Sequence, residues 1–210
     1  MLVFATISPH PPILLPSVGS KEDRLKVKKT LEGLDSLAKA FKETNSKTIL
    51  ISSPHQDWGF NVPLFFITPE FKGEIKTYLT DDKSPEEHFQ EGKRIYQSTI
   101  SKLQSKTALI ASGDLSHCLK ADGPYGFHPD GPAFDSALIK CLEGKRIKEI
   151  LALEEKFPQA AECGLRSISF LLGILEESGL NWEPEILSYE GPFGVGYLVV
   201  NFKLSENSSL

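Results

Sequence analysis

The sequence predicts one α/β domain, a mostly parallel central sheet with helices on both faces. Three observations support this. Short, nearly continuous apolar runs at residues 2–7, 48–51 and 108–111 have the pattern of strands covered on both sides. Amphipathic helical patterns separate those runs, and alternating strand and helix builds parallel sheets. A length of 210 residues is enough for one well-buried domain without requiring a second.

Each element has its own signal. The first strand runs into Pro9, His10, Pro11 and Pro12, which carry neither a strand nor a helix onward. A helix is predicted over 21–43, with Val27, Leu31, Leu34, Ala38 and Phe41 on one face and Ser20 as its cap. The strand at 48–51 ends in SSPHQD, an echo of the first. Ser84-Pro85-Glu86-Glu87 starts the next helix: Ser84 caps, Pro85 suits the first turn and Glu87 reaches back as in a capping box. Its inner face is Phe89, Gly92, Tyr96 and Leu103. After the strand at 108–111 comes SGDLSHCLKADGPYGFHPDGP, a loop too long and glycine-rich for a simple turn and of the sort that carries function. Helical patterns resume at 133–142, 147–153 and 163–177, followed by an extended pair at 185–189 and 196–202 joined by EGPFG. The domain is read as residues 1–204, with 205–210, SENSSL, as a disordered tail.

Composition narrows the function classes. A net charge of −5 and a pI near 5.6 give no electrostatic reason to expect nucleic acid, so small molecules or proteins are the expected partners. Self-association is left open. Cysteines at 118, 141 and 163 are odd in number and without paired spacing, which argues against a disulfide framework or a zinc knuckle and for a reducing compartment. No apolar run reaches the roughly 18 residues of a membrane helix, and the N-terminus lacks a basic leader. No membrane association and a cytoplasmic location are therefore expected.

The chemistry gathers at strand ends. His10, His55 and His117 each follow a predicted strand, and in open α/β sheets ligands bind beyond the carboxyl ends of the strands. Pro9 and Pro54 hold the following histidines in stiff loops. Neutral imidazole is a common metal ligand, and two with one carboxylate form the facial triad of non-haem iron oxygenases. Glu162, Asp57, Asp114 and Glu190 are the candidate carboxylates, and spacing does not choose among them. Each residue has a plainer reading beside this one. A strand-end histidine often only bonds its loop, and Glu162 suits a helix N-terminus for electrostatic reasons alone. Cys163 reads as a small buried hydrophobe or a soft ligand, while His88 and His128 read as peripheral. The Gly191, Gly194 and Gly196 cluster precedes a strand and is no nucleotide fingerprint.

In this order, ISPHPPILLP, SSPHQD, LIASGDLSH, AAECGLRS and LSYEGPFGVGYLV resemble the LigB-type class III extradiol ring-cleavage dioxygenases, in the branch related to Memo-like proteins. The resemblance covers nearly the whole chain. It implies a three-layer, phosphorylase/hydrolase-like α/β sandwich. It also implies a ferrous ion held by His10, His55 and Glu162, with zinc or manganese as other metals for such ligands, and His117 in acid–base catalysis. The implied substrates are a small catechol-type aromatic and dioxygen. Close relatives carry an extra segment with an Asp-His-Gly element between the second-strand histidine and the capped helix, whereas here SSPHQDWGFNVPLFF leads to SPEEHFQEG without it. A non-catalytic Memo-like binding protein and a metal-assisted hydrolase are the other roles such a scaffold offers.

Overall fold

The computed structural model describes residues 1–206. Four strands, β1 (Leu2–Ser8), β2 (Thr48–Ser53), β3 (Glu74–Leu79) and β4 (Thr107–Ser112), pair in parallel. β5 (Asn181–Glu190) and β6 (Tyr197–Ser205) add an antiparallel hairpin at one edge, giving the order β3-β2-β4-β1-β6-β5. The expected mixed, mostly parallel sheet is therefore present. Ser205, placed in the tail by the sequence reading, closes β6 instead, and the rest of that expected tail beyond Glu206 lies outside the described residues.

Strand periodicity explains the layers, because successive side chains point to opposite faces. On β2, Ile49 and Ile51 join one core while Leu50 joins the other; on β4, Ala108 and Ile110 part from Leu109 and Ala111 in the same way. One face is covered by α2 (Lys28–Thr44) and α3 (Asp57–Ile67), through Leu34, Leu37, Phe41, Val62 and Ile67. The other lies under α4 (Pro85–Ser98), α5 (Asp130–Glu143) and α8 (Leu165–Ser178), with Phe89, Phe134, Leu138, Leu171 and Leu172 inward. The result is a three-layer α/β sandwich. α4 and α8 cross closely at Gly92 and Gly173, where a side-chain carbon at either position would overlap backbone of the other helix.

Both expected caps form, and each is a capping box. Ser20 accepts from the Asp23 N–H at the start of α1 (Lys21–Lys26), and Ser84 accepts from the Glu87 N–H at the start of α4. The single helix expected over 21–43 is broken at buried Val27 (φ −106°, ψ 25°), which turns the chain between α1 and α2. Two short helices, α6 (Ile147–Leu151) and α7 (Leu153–Lys156), replace the one expected at 147–153. α8 begins at Leu165, so Glu162 and Cys163 lie in the loop before it. The sequence reading assigned neither α3 nor β3. α3 holds Pro63 in mid-helix, and β3 is an edge strand with most of its residues exposed, so neither shows the usual pattern.

Candidate metal centre

Parallel pairing of β1, β2 and β4 brings their carboxyl ends to one side of the sheet. His10 follows β1, His55 follows β2, and the Gly113–His117 stretch follows β4. The three predicted histidines therefore leave the same edge. Pro9 and Pro54 stop β1 and β2 at that point, since their rings cannot donate to the ladder, while Gly113 follows β4.

His10 is buried, 1% exposed. Its backbone N–H donates to Asp114 Oδ1 at 3.0 Å, and its ring Nδ1 meets Ser112 Oγ at 2.9 Å. Ser112 sends its one hydroxyl proton to the carbonyl of Gly59. The His10 Nδ1 must then be the donor in the ring contact, leaving the lone pair on Nε2. That is the tautomer an Nε2 metal ligand needs, fixed by a neighbour as ligating histidines are. Burial first, and the nearby His55 second, lower the His10 pKa to about 3, so the ring is neutral.

The His10 Nε2 faces Cys163 Sγ at 3.6 Å, and the His10 and His55 rings stand edge to face with centroids 5.2 Å apart. One ligand atom from each of His10, His55 and Cys163 lies within 4.8 Å of the others. A tetrahedral ion with metal–nitrogen and metal–sulfur bonds of roughly 2.1 and 2.3 Å would set such atoms about 3.6 Å apart, so the residues fit a bound cation. Burial, reinforced by Asp114, raises the Cys163 thiol well above its ordinary value. A cation at this point would supply the positive charge a thiolate needs.

Glu162 stands outside that group. Its Oε2 accepts the Leu165 N–H at 2.6 Å, and its Oε1 lies 3.9 Å from Arg166 Nη1, so it serves the start of α8 as the dipole reading expects. Burial raises its pKa to about 7, with the Leu165 N–H and then Arg166 opposing. Of the other candidate carboxylates, Asp57 is exposed on α3 and Glu190 accepts from the Thr30 backbone and hydroxyl. Asp114 is buried beside the histidines, and burial lifts its pKa to about 6 against the His10 N–H bond. Its Oδ2 lies 4.0 Å from His10 Nε2, but with that ring neutral the contact is not an ion pair.

His117 joins from the β4 loop. Its backbone N–H donates to Ala160 O, its ring abuts Tyr125 at 5.2 Å, and its buried Nε2 has no protein partner. Burial lowers its pKa; Asp114 opposes, while His10 and His55 add to the lowering, so all four share one electrostatic environment. Ser116 anchors this loop: its N–H donates to Asp135 Oδ1 and its hydroxyl to Ala160 O. Two exposed aromatics flank the histidines, Trp58 beside His55 at 5.6 Å and Tyr125 beside His117. The peripheral pair keeps to itself: His88 is buried against Asp81 and Tyr78, and His128 bonds the Asp130 N–H. Sequence reasoning missed Ser112, Asp135, Trp58 and Tyr125. Of these only Ser112, the last residue of a strand that leads into the Gly-Asp-Leu-Ser-His stretch, had a positional signal.

The fold and the site define a class: an α/β sandwich with a cation-competent histidine cluster at the carboxyl edge of its parallel strands. Residues 56–200 match the family described as the catalytic LigB subunit of aromatic ring-opening dioxygenase. The chain belongs to that LigB family. Protein CA_C1420 of Clostridium acetobutylicum is 29% identical over 272 residues, a match covering 96% of this chain and 57% of that protein. The chain thus spans a little over half the length of this relative. An uncharacterized protein of Escherichia coli K12, JW3007, shares the fold in its crystal structure, with a TM-score of 0.60 over 95% of this chain and 99% of its own at 15% identity. Among the described residues no helix is long and apolar enough to cross a membrane.

Proposed function

We propose that this chain is a metal-dependent dioxygenase of the extradiol type, acting on a small aromatic diol with dioxygen as co-substrate. The observation that carries the reading is the convergence of His10 and His55, with Cys163 beside them, their ligand atoms within 4.8 Å of one another. A bound ferrous ion would supply coordination positions for two oxygen reactants and polarise them. The chain's own residues do the rest. His117, neutral and with a free Nε2, takes a proton from a substrate hydroxyl and returns it as the ring opens. Trp58 and Tyr125 offer aromatic faces to a planar ring at the mouth. The family match supports this substrate class.

The third ligand separates two readings. Glu162 with two imidazoles is an iron donor set, whereas Cys163 with the same imidazoles suits zinc. The position of Cys163 therefore favours, as the second reading, a metal-binding protein without ring-cleaving activity on the same scaffold.

Metal content of protein prepared without oxygen tests the assignment. His10→Ala and His55→Ala are expected to lose most bound metal, and retention of the parent's metal by both would overturn it. Loss of iron in Glu162→Gln but not Cys163→Ser, together with oxygen uptake on catechols, supports the dioxygenase. Loss of zinc in Cys163→Ser alone, with no oxygen uptake, supports the second reading.

A further inference from the structure

The amino end of the sheet holds a concave feature remote from the histidines. A cavity of about 630 Å³ lies between the end of α2, residues 45–47 before β2, and residues 67–73 leading into β3. β2 separates it from the site at its other end by six residues, ~20 Å of strand. The volume falls within the usual range of small-molecule sites.

Two properties define what it would take. The floor is apolar: Phe41 and Ile67 are buried, and Phe71 packs edge to face on Phe41 at 5.8 Å. The rim is basic, with Lys39, Lys42, Lys47 and Lys72 against a single lining acid, Glu70. Lys39 is paired with Asp35 at 2.6 Å. No carboxylate among the described residues lies within 4.0 Å of the ammonium groups of Lys42, Lys47 or Lys72. Four lysines against one acid make the rim of this apolar cleft positive in a chain whose net charge is −5.

We infer that this cavity binds a small amphiphilic anion, an organic carboxylate or sulfonate with an apolar or aromatic body. The body rests on Phe41, Phe71 and Ile67, and the charged head is met by Lys42, Lys47 and Lys72. Attraction between an exposed head and these lysines is screened by salt, whereas burial of the body is not. Binding here requires nothing of the metal centre at the far edge.

The test uses the full chain and the fluorescent aromatic sulfonate 8-anilinonaphthalene-1-sulfonate, with neutral N-phenyl-1-naphthylamine as the uncharged comparator. Saturable binding of one sulfonate per chain is expected, weakened by added sodium chloride and stronger than binding of the neutral dye. The double variant Lys42→Glu, Lys72→Glu is expected to bind the sulfonate about tenfold more weakly, as loss and reversal of two exposed charges would give. Ala38→Trp, which fills the cleft from α2, is expected to abolish binding of both dyes. His10→Ala is expected to leave the sulfonate affinity unchanged. The inference is overturned if charge reversal changes the affinity by less than about twofold, if both dyes bind equally, or if His10→Ala removes the binding, placing the dye at the histidine cluster. All these variants except His10→Ala alter residues on the surface of α2 or the loop before β3, and unchanged circular dichroism verifies their fold.

Discussion

At the scale of single residues, the site is tuned by partners that bear no chemistry of their own. Ser112 gives its proton to the Gly59 carbonyl and thereby directs the His10 lone pair to Nε2. Ser112→Ala frees the ring to adopt the other tautomer, so metal affinity is expected to fall about 10–100-fold, the usual cost of losing such a partner. Unchanged affinity by competition with a chelating dye would show that Ser112 does not set the tautomer. Asp135 has the same supporting character. It is 1% exposed, accepts from the Ser116 N–H and the Tyr189 hydroxyl, and has its pKa raised by burial to about 7 from 3.8. Because the folded value lies above the unfolded one, folding takes up a proton between about pH 4 and 7. The group's contribution is complete below about pH 4 and is lost as pH rises through about 7, a change of a few kcal/mol. Asp135→Asn cannot ionise, so its urea midpoint is expected to fall less than the parent's between about pH 5 and 8. Parallel profiles would contradict this account.

At the scale of elements, what matters is how closely the β4 loop approaches the start of α8. Gly113 and Gly164 meet backbone to backbone; a β-carbon at Gly164 would lie 2.9 Å from the Asp114 carbonyl and 3.1 Å from Gly113 C. This contact lets Cys163 Sγ accept the Asp114 N–H and still reach His10. Gly164→Ala is expected to move residue 163 outward and to weaken metal binding by about tenfold or more while far-ultraviolet circular dichroism stays the same. Retained affinity would mean that the approach of these loops does not position the third donor. The same scale explains which elements were legible. The capped helix at Ser84 and the strand at 48–51 carry local signals, a capping box and a β-branched apolar run, that need no tertiary context. α3 and β3 do not. The first is apolar on nearly every side and holds Pro63, and the second is an exposed edge whose Ile75, Tyr78 and Leu79 alternate with polar residues only weakly.

At the scale of the whole molecule, the candidate metal centre joins segments far apart in sequence, with His10 and Cys163 separated by 153 positions. A cation held there binds the folded chain and not the unfolded one, so it raises stability by mass action. At a free metal concentration one hundred times the dissociation constant the gain is about 2.7 kcal/mol, or an increase in melting temperature of roughly 5–10 °C for a chain of this size. Scanning calorimetry with iron and zinc in turn is expected to show that increase in the parent and to lose it in His10→Ala. An equal increase in both would place the metal elsewhere.

By itself the sequence determined the layers and the edge: apolar runs mark strands buried on both faces, proline ends two of them, and histidine follows three of them. That information is local, because periodicity and proline act over a few residues. Only the tertiary structure decided which carboxylate or thiol meets the imidazoles. Glu162 and Cys163 are neighbours in the chain, yet the entry into α8 turns the glutamate to the Leu165 N–H and the cysteine to His10. It also decided that Asp135, 19 residues beyond Ser116, would hold the His117 loop. Such pairings depend on how strands register and how near two glycines let backbones come, and residue type and spacing do not encode those distances.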